Sequence, residues 1–116
     1  MKSGANPSRI STVRQAGGAS VVDVTGEIDL SRSTAFQHEL MDLVATHPRR
    51  IVVNLSGVPH MDSSGIASLV KLLSRCRKQS IELRLAGLTT HVQGLFEITR
   101  LSSVFDIYPT VEEALA

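Results

Sequence analysis

The sequence predicts an α/β fold: a small mixed sheet, mostly parallel, with an N-terminal hairpin and about four helices mainly on one face. Three observations point there. Apolar runs of strand length, Ser20 to Thr25, Ile51 to Leu55 and Ile81 to Leu85, alternate with stretches of helical periodicity. The segment Ala16-Gly17-Gly18-Ala19 lies between two short runs and reads as a hairpin turn. A third stretch, Ile51 to Ile66, passes from a buried strand through a Gly/Pro loop to a capped helix start.

Taken in order, residues 1–8 are small and polar with one proline, the composition of a flexible tail, which leaves 9–116 as one domain. A chain of 116 residues buries one core and is too short for two. Strands are expected over Arg9 to Gln15 and Ser20 to Thr25. The loop Asp29 to Ser33 ends in a cap at Ser31 or Ser33, and the helix behind it runs to about Thr46 with Phe36, Leu40, Leu43 and Val44 on one face. His47-Pro48 stops it, because the residue before a proline avoids α geometry.

The central strand follows. Ser56-Gly57-Val58-Pro59 breaks it, and Asp62, Ser63 and Ser64 supply helix-capping side chains. From there a helix reaches about Gln79, with Ile66, Leu69, Val70, Leu73 and Cys76 at helical spacing. Ile81-Glu82-Leu83-Arg84-Leu85 alternates as a strand with one buried face, ended by Gly87. Thr89 and Thr90 cap a short helix through Ile98 that turns Val92, Leu95 and Phe96 inward, with Leu101 beyond. Val104 to Tyr108 forms the last strand, and Thr110 to Ala116 a terminal helix after Pro109. Val22, Val24, Ile51, Val53, Leu55, Ile81, Leu83 and Leu85 share one face of the sheet. Asp23, Asn54, Glu82 and Arg84 lie on the other, so that side is partly wet.

Twelve Lys and Arg balance eleven Asp and Glu, which gives no bias towards nucleic acid or anionic membranes. The single cysteine, Cys76, excludes an internal disulfide and a multi-cysteine metal site. No apolar segment approaches a membrane span and no signal-peptide core opens the chain, so a cytoplasmic protein, monomeric when free, is expected.

The residue types of catalysis do not assemble. His60, Asp62 and Ser63 are near neighbours on one loop, whereas a triad draws its members from distant segments, and no Gly-x-Ser-x-Gly elbow exists. His38, His47, His60 and His91 lack metal-site spacing, and no phosphate-binding glycine loop is present, so neither a metal nor another cofactor is expected. Ser63 and Ser64 remain. One reading makes them helix caps and spacers. The other makes one of them a phosphoryl acceptor, since a helix N-terminus offers free N–H groups and a positive dipole end.

The run Asn54-Leu55 … Met61-Asp62-Ser63-Ser64-Gly65-Ile66 resembles the signature of the STAS domain, specifically the small bacterial anti-sigma-factor antagonists. Gly26-Glu27-Ile28-Asp29 resembles that family's short acidic motif after its second strand. The resemblance covers nearly the whole chain and implies a STAS-like fold. It implies that Ser63, the first serine after the aspartate, is the phosphorylation site. It also implies a binding switch and no enzyme. Unphosphorylated, such a protein sequesters an anti-sigma factor with serine kinase activity and so regulates transcription. The kinase phosphorylates it, and a serine phosphatase resets it. The contact surface expected is Glu27, Asp29, Met61, Asp62, Ser63, Ser64 and Gly65. An alternative is a constitutive STAS subunit of a larger assembly, a lipid-transport ATPase or a stress-signalling scaffold. The loop Gly57-Val58-Pro59-His60 departs from the family pattern and bears on which partner is bound.

Overall fold

The computed structural model describes residues 10–116, so the expected tail and Arg9 lie outside the described residues. The elements are β1 (Ser11–Ala16), β2 (Ala19–Thr25), α1 (Leu30–Val44), β3 (Arg50–Gly57), α2 (Ser63–Lys78), β4 (Glu82–Ala86), α3 (Thr90–Ile98), a 3₁₀ turn at Leu101–Ser103, β5 (Asp106–Tyr108) and α4 (Val111–Leu115). The strands form one sheet in the order β1-β2-β3-β4-β5. β1 runs antiparallel to β2, and every other pairing is parallel. Gly17 and Gly18 make the hairpin with φ of 58° and 80°, the left-handed conformation a two-residue turn of this hand needs at both centres.

Register explains the core. Val22, Val53, Leu85 and Ile107 stand side by side across β2, β3, β4 and β5. With Val24, Ile51, Leu55 and Leu83 they pack against Phe36 and Leu40 of α1, Leu69 and Leu72 of α2, and Val92 and Phe96 of α3. Cys76 lies in this layer, where burial pushes its thiol up to about 11 and keeps it in the unreactive neutral form. On the opposite face Ala19, Val21, Val52 and Ala86 pack against Ala114 of α4. This second apolar patch is an addition to the partly wet face expected from its polar residues. Those residues are there and are paired. Asn54 Nδ2 donates to Asp23 at 2.8 Å and Arg14 Nε donates to Asp23 at 2.6 Å. The Arg14 hydrogen bond, set against partial burial, holds the Asp23 carboxyl below the usual range. α4 has five residues, too few to be stable alone. Arg50 donates to the Leu115 carbonyl at 3.1 Å, and Arg84 to those of Ala114 and Ala116 at 2.8 and 3.1 Å, so two sheet arginines cap its end.

Several boundaries differ from expectation. α1 begins at Leu30 with Asp29 as its cap, ahead of the expected Ser31 or Ser33, because the Asp29 carboxylate accepts the Ser31 N–H. The buried stripe of α2 is Gly65, Ile66, Ser68, Leu69, Leu72 and Cys76. Val70 is 42% exposed and Leu73 only half-buried, so the expected stripe is rotated by about one position. The cause is small-residue packing: Ser68 Oγ donates to the Ser33 carbonyl at 3.3 Å, which brings α2 down onto α1 along its glycine and serine side. The last strand starts at Asp106, two residues later than expected. Val104 instead closes the 3₁₀ turn, its N–H bonded to the Leu101 carbonyl at 3.0 Å.

Candidate functional site

β2, β3 and β4 all run into α1, α2 and α3 at the same end of the sheet, which gathers three helix N-termini on one side of the molecule. Two of the connecting loops are joined by main-chain bonds. Ile28 and Met61 form a parallel bridge; the Ile28 N–H donates to the His60 carbonyl and the Asp62 N–H to the Ile28 carbonyl, each at 3.1 Å. The two motifs seen separately in the sequence therefore form one short ladder.

Each half of that ladder continues into the same turn. Asp29 caps α1: its Oδ1 accepts the Ser31 N–H at 3.0 Å and the Ser31 hydroxyl at 2.6 Å. Asp62 caps α2: its Oδ1 accepts the Ser64 N–H at 2.9 Å and also the Ser64 hydroxyl. The cap dihedrals agree to within a few degrees in ψ, at −174° and −172°. The serine hydroxyl bonds are the leading cause that lowers both carboxyls below the usual range, so both are charged at neutral pH. Asp62 lies close enough to act on Asp29, since its charge partly opposes the lowering there.

The equivalent middle positions differ. In α1 it is Leu30, 76% exposed, and in α2 it is Ser63, also exposed. Among the described residues the Ser63 hydroxyl takes no hydrogen-bond partner, whereas that of Ser64 is committed to Asp62. The His60 ring stands against that of His91.

Glu27, Asp29, Asp62 and Ser63 are exposed on this surface, with Ser64 half-buried beside them. Met61 and Gly65 stand behind it, Met61 only 4% exposed. Placed by the sequence within the contact surface, they shape it from beneath. A Cβ at Gly65 would sit 2.5 Å from Met61 Cγ and 2.8 Å from Ile28 Cγ2, so the helix start fits against the ladder only without one. Gly65→Ala is expected to cost about 1–3 kcal/mol by overpacking. Chemical denaturation measures it, and an unchanged midpoint would show that Met61 yields freely.

Two contributors carry no local signal in the sequence. Leu30 adds an exposed apolar side chain next to Asp29. Arg32, in the first turn of α1, donates to the carbonyls of Glu27 at 2.6 Å and Thr25 at 3.2 Å, and so holds the acidic loop. A side chain at Gly26 (φ 89°) would collide with that guanidinium. The repeat of an apolar residue, Asp, any residue and Ser, at Ile28 to Ser31 and Met61 to Ser64, is the signal that reveals the paired turns.

Comparison with known proteins agrees with this architecture. The STAS domain family profile matches residues 11–114. The anti-sigma-F factor antagonist RsfA of Mycobacterium tuberculosis is 30% identical over 111 residues, which cover 90% of this chain and 84% of that protein. The crystal structure of an anti-sigma factor antagonist from Mycobacterium paratuberculosis superposes with a TM-score of 0.84 at 28% identity, over 90% of this chain and 89% of that one. The Bacillus cell fate determinant SpoIIAA in its phosphorylated form shares the fold with a TM-score of 0.70 at 17% identity, over 90% and 96% of the two chains. On the match of nearly its whole length, the chain belongs to the STAS domain family.

Proposed function

We propose that this protein is an anti-sigma-factor antagonist whose binding is switched by phosphorylation of Ser63. The observation that carries the reading is the difference between two adjacent serines: Ser63 offers an exposed hydroxyl with no partner among the described residues, and Ser64 spends its hydroxyl on Asp62. The names of its curated relatives support the general role. Unmodified, the surface of Glu27, Asp29, Leu30, Asp62 and Ser63 docks on an anti-sigma factor in the cytoplasm. That partner is itself a serine kinase, and the phosphoryl group it transfers adds about −1.5 to −2 charges beside two ionised carboxylates. The bound surface then carries unpaired charge, and the complex separates until a serine phosphatase removes the group. The antagonist contributes no catalytic group of its own.

Incubation with ATP and the anti-sigma factor encoded by the same genome, followed by phosphopeptide mapping, tests the assignment. Ser63→Ala is expected to abolish incorporation, and Ser64→Ala to retain it. Phosphate mapped to Ser64, or incorporation undiminished in Ser63→Ala, would refute the site.

A further inference from the structure

β1 ends the sheet on one side, and only part of its outer edge is closed. The Thr25 N–H donates to the Ile10 carbonyl at 3.1 Å. Bonded residues alternate along an antiparallel pair, so in the register Ser11↔Val24 the main-chain groups of Thr12, Arg14 and Ala16 face β2. Those of Ser11, Val13 and Gln15 face outward. Glu39 of α1 closes the first of these, its carboxylate accepting the Ser11 N–H at 2.9 Å. Val13 and Gln15 keep an open edge, with an N–H and a carbonyl each. Beside that edge runs a groove between β1 and α1, lined by Val13, Gln15, Glu39, Asp42, Leu43 and Thr46. Val13 is 41% exposed there, although it shares a face of the sheet with Val22, its buried partner in register. The groove is also acidic. Asp42 is exposed in the last turn of α1, at the negative end of the helix dipole, where a carboxylate is unfavourable. No basic residue stands in that turn, whereas α2 ends in Arg75, Arg77 and Lys78. Among the described residues Asp42 makes no ion pair.

We propose that this groove is a strand-addition site for an extended segment of a partner protein that carries a small apolar residue and a Lys or Arg two positions apart. Main-chain groups of the segment pair with those of Val13 and Gln15 and extend the sheet by one strand. Residues two apart on a strand point to the same face, so both side chains enter the groove. The apolar one covers Val13, and the cation meets Asp42 and the uncompensated end of α1. A second copy of this chain fits worse. A two-fold pair of β1 edges sets two Asp42 carboxylates along one seam, and like charges there repel. Asp42 and Leu30 stand near opposite ends of α1, about 18 Å apart along its axis. A segment in the groove therefore leaves Asp29, Asp62 and Ser63 clear, and the site stands apart from the phosphorylation reading.

NMR titration of the isotope-labelled full chain with a capped pentapeptide of threonine, carrying valine second and lysine fourth, tests the proposal. The amide signals of Val13 and Gln15 are expected to shift together with that of Asp42, and the two strand amides to exchange more slowly with solvent. The same peptide with glutamate in place of lysine is expected to bind about tenfold more weakly. Asp42→Lys is expected to reverse that order. The substitution is on the surface, and an unchanged amide spectrum away from the groove checks that the fold is intact. No response of Val13 and Gln15 to the lysine peptide, equal affinity for both peptides, or an order indifferent to Asp42→Lys would overturn the proposal. So would shifts of the two strand amides on diluting the chain alone, which mean that a second copy fills the groove. A higher affinity for the lysine peptide after removal of residues 1–9 would do the same, since the chain's own start then competes for the site.

Discussion

Leu72→Ala is expected to destabilise the fold by about 2–5 kcal/mol, a large part of the 5–15 kcal/mol that holds a domain of this size together. Leu72 is fully buried between α2 and the sheet, with Leu69 on the turn before it and Cys76 on the turn after. Truncation removes its transfer energy and leaves a cavity that the rigid strands cannot close. Leu73→Ala is expected to cost clearly less, since that side chain is half-buried, and Val70→Ala to stay within about 0.5 kcal/mol. Denaturant titration of the three variants measures the rotational setting of α2 directly. A larger loss for Leu73→Ala than for Leu72→Ala would mean that the helix sits turned from the position described.

Ser63→Asp is expected to weaken binding to the anti-sigma factor roughly a hundredfold, the equivalent of about 3 kcal/mol, while leaving the stability of the free protein nearly unchanged. The two halves of that expectation have separate causes. In the free protein residue 63 is exposed in the first turn of α2, where a negative charge interacts favourably with the helix dipole. In the complex the same carboxylate must lose its water next to Asp62 and Asp29, both already ionised. Because Asp carries less charge than a phosphoryl group, the mimic sets a lower bound on the natural effect. Calorimetry with the isolated partner, on wild type, Ser63→Ala and Ser63→Asp, decides it. Equal affinity for Ser63→Asp and wild type would remove the charge switch.

The strands were legible because β-branched runs bounded by glycine and proline have few other solutions, although β3 runs on through Ser56 and Gly57, expected to break it, and β4 spans Glu82–Ala86, one residue later than Ile81 to Leu85. The setting of α2 was not, because hydropathy gives no weight to Gly65 and Ser68, and these small residues decide how closely the helix approaches α1. The face occupied by α4 was read as wet for a related reason. Its polar residues, Asp23, Asn54 and Arg84, stand out in the sequence, while Val21 and Val52 sit unnoticed between core residues of the other face. At the site, Asp62, Ser63 and Ser64 announce a helix start locally. The proximity of Glu27 and Asp29 followed from the topology of parallel strands. Leu30 and Arg32 lie in the same short window as Glu27 and Asp29, where hydropathy does not mark them, and the meeting of His60 with His91 depends on how distant segments are joined.

The duplicated Asp-x-Ser turn has a bearing on how a modifying enzyme would find its target. Both helix starts present the same carboxylate cap, the same tied serine and the same run of backbone N–H groups, side by side on one surface. A kinase that recognised only this local shape would meet two addresses and could dock in either frame. The two copies differ at the middle position, where Ser63 carries a hydroxyl and Leu30 none, and just past the tied serine, where Gly65 stands in one and Arg32 in the other. If Ser63 is the acceptor proposed above, the copy without a hydroxyl would offer such an enzyme an exposed apolar landmark beside its target.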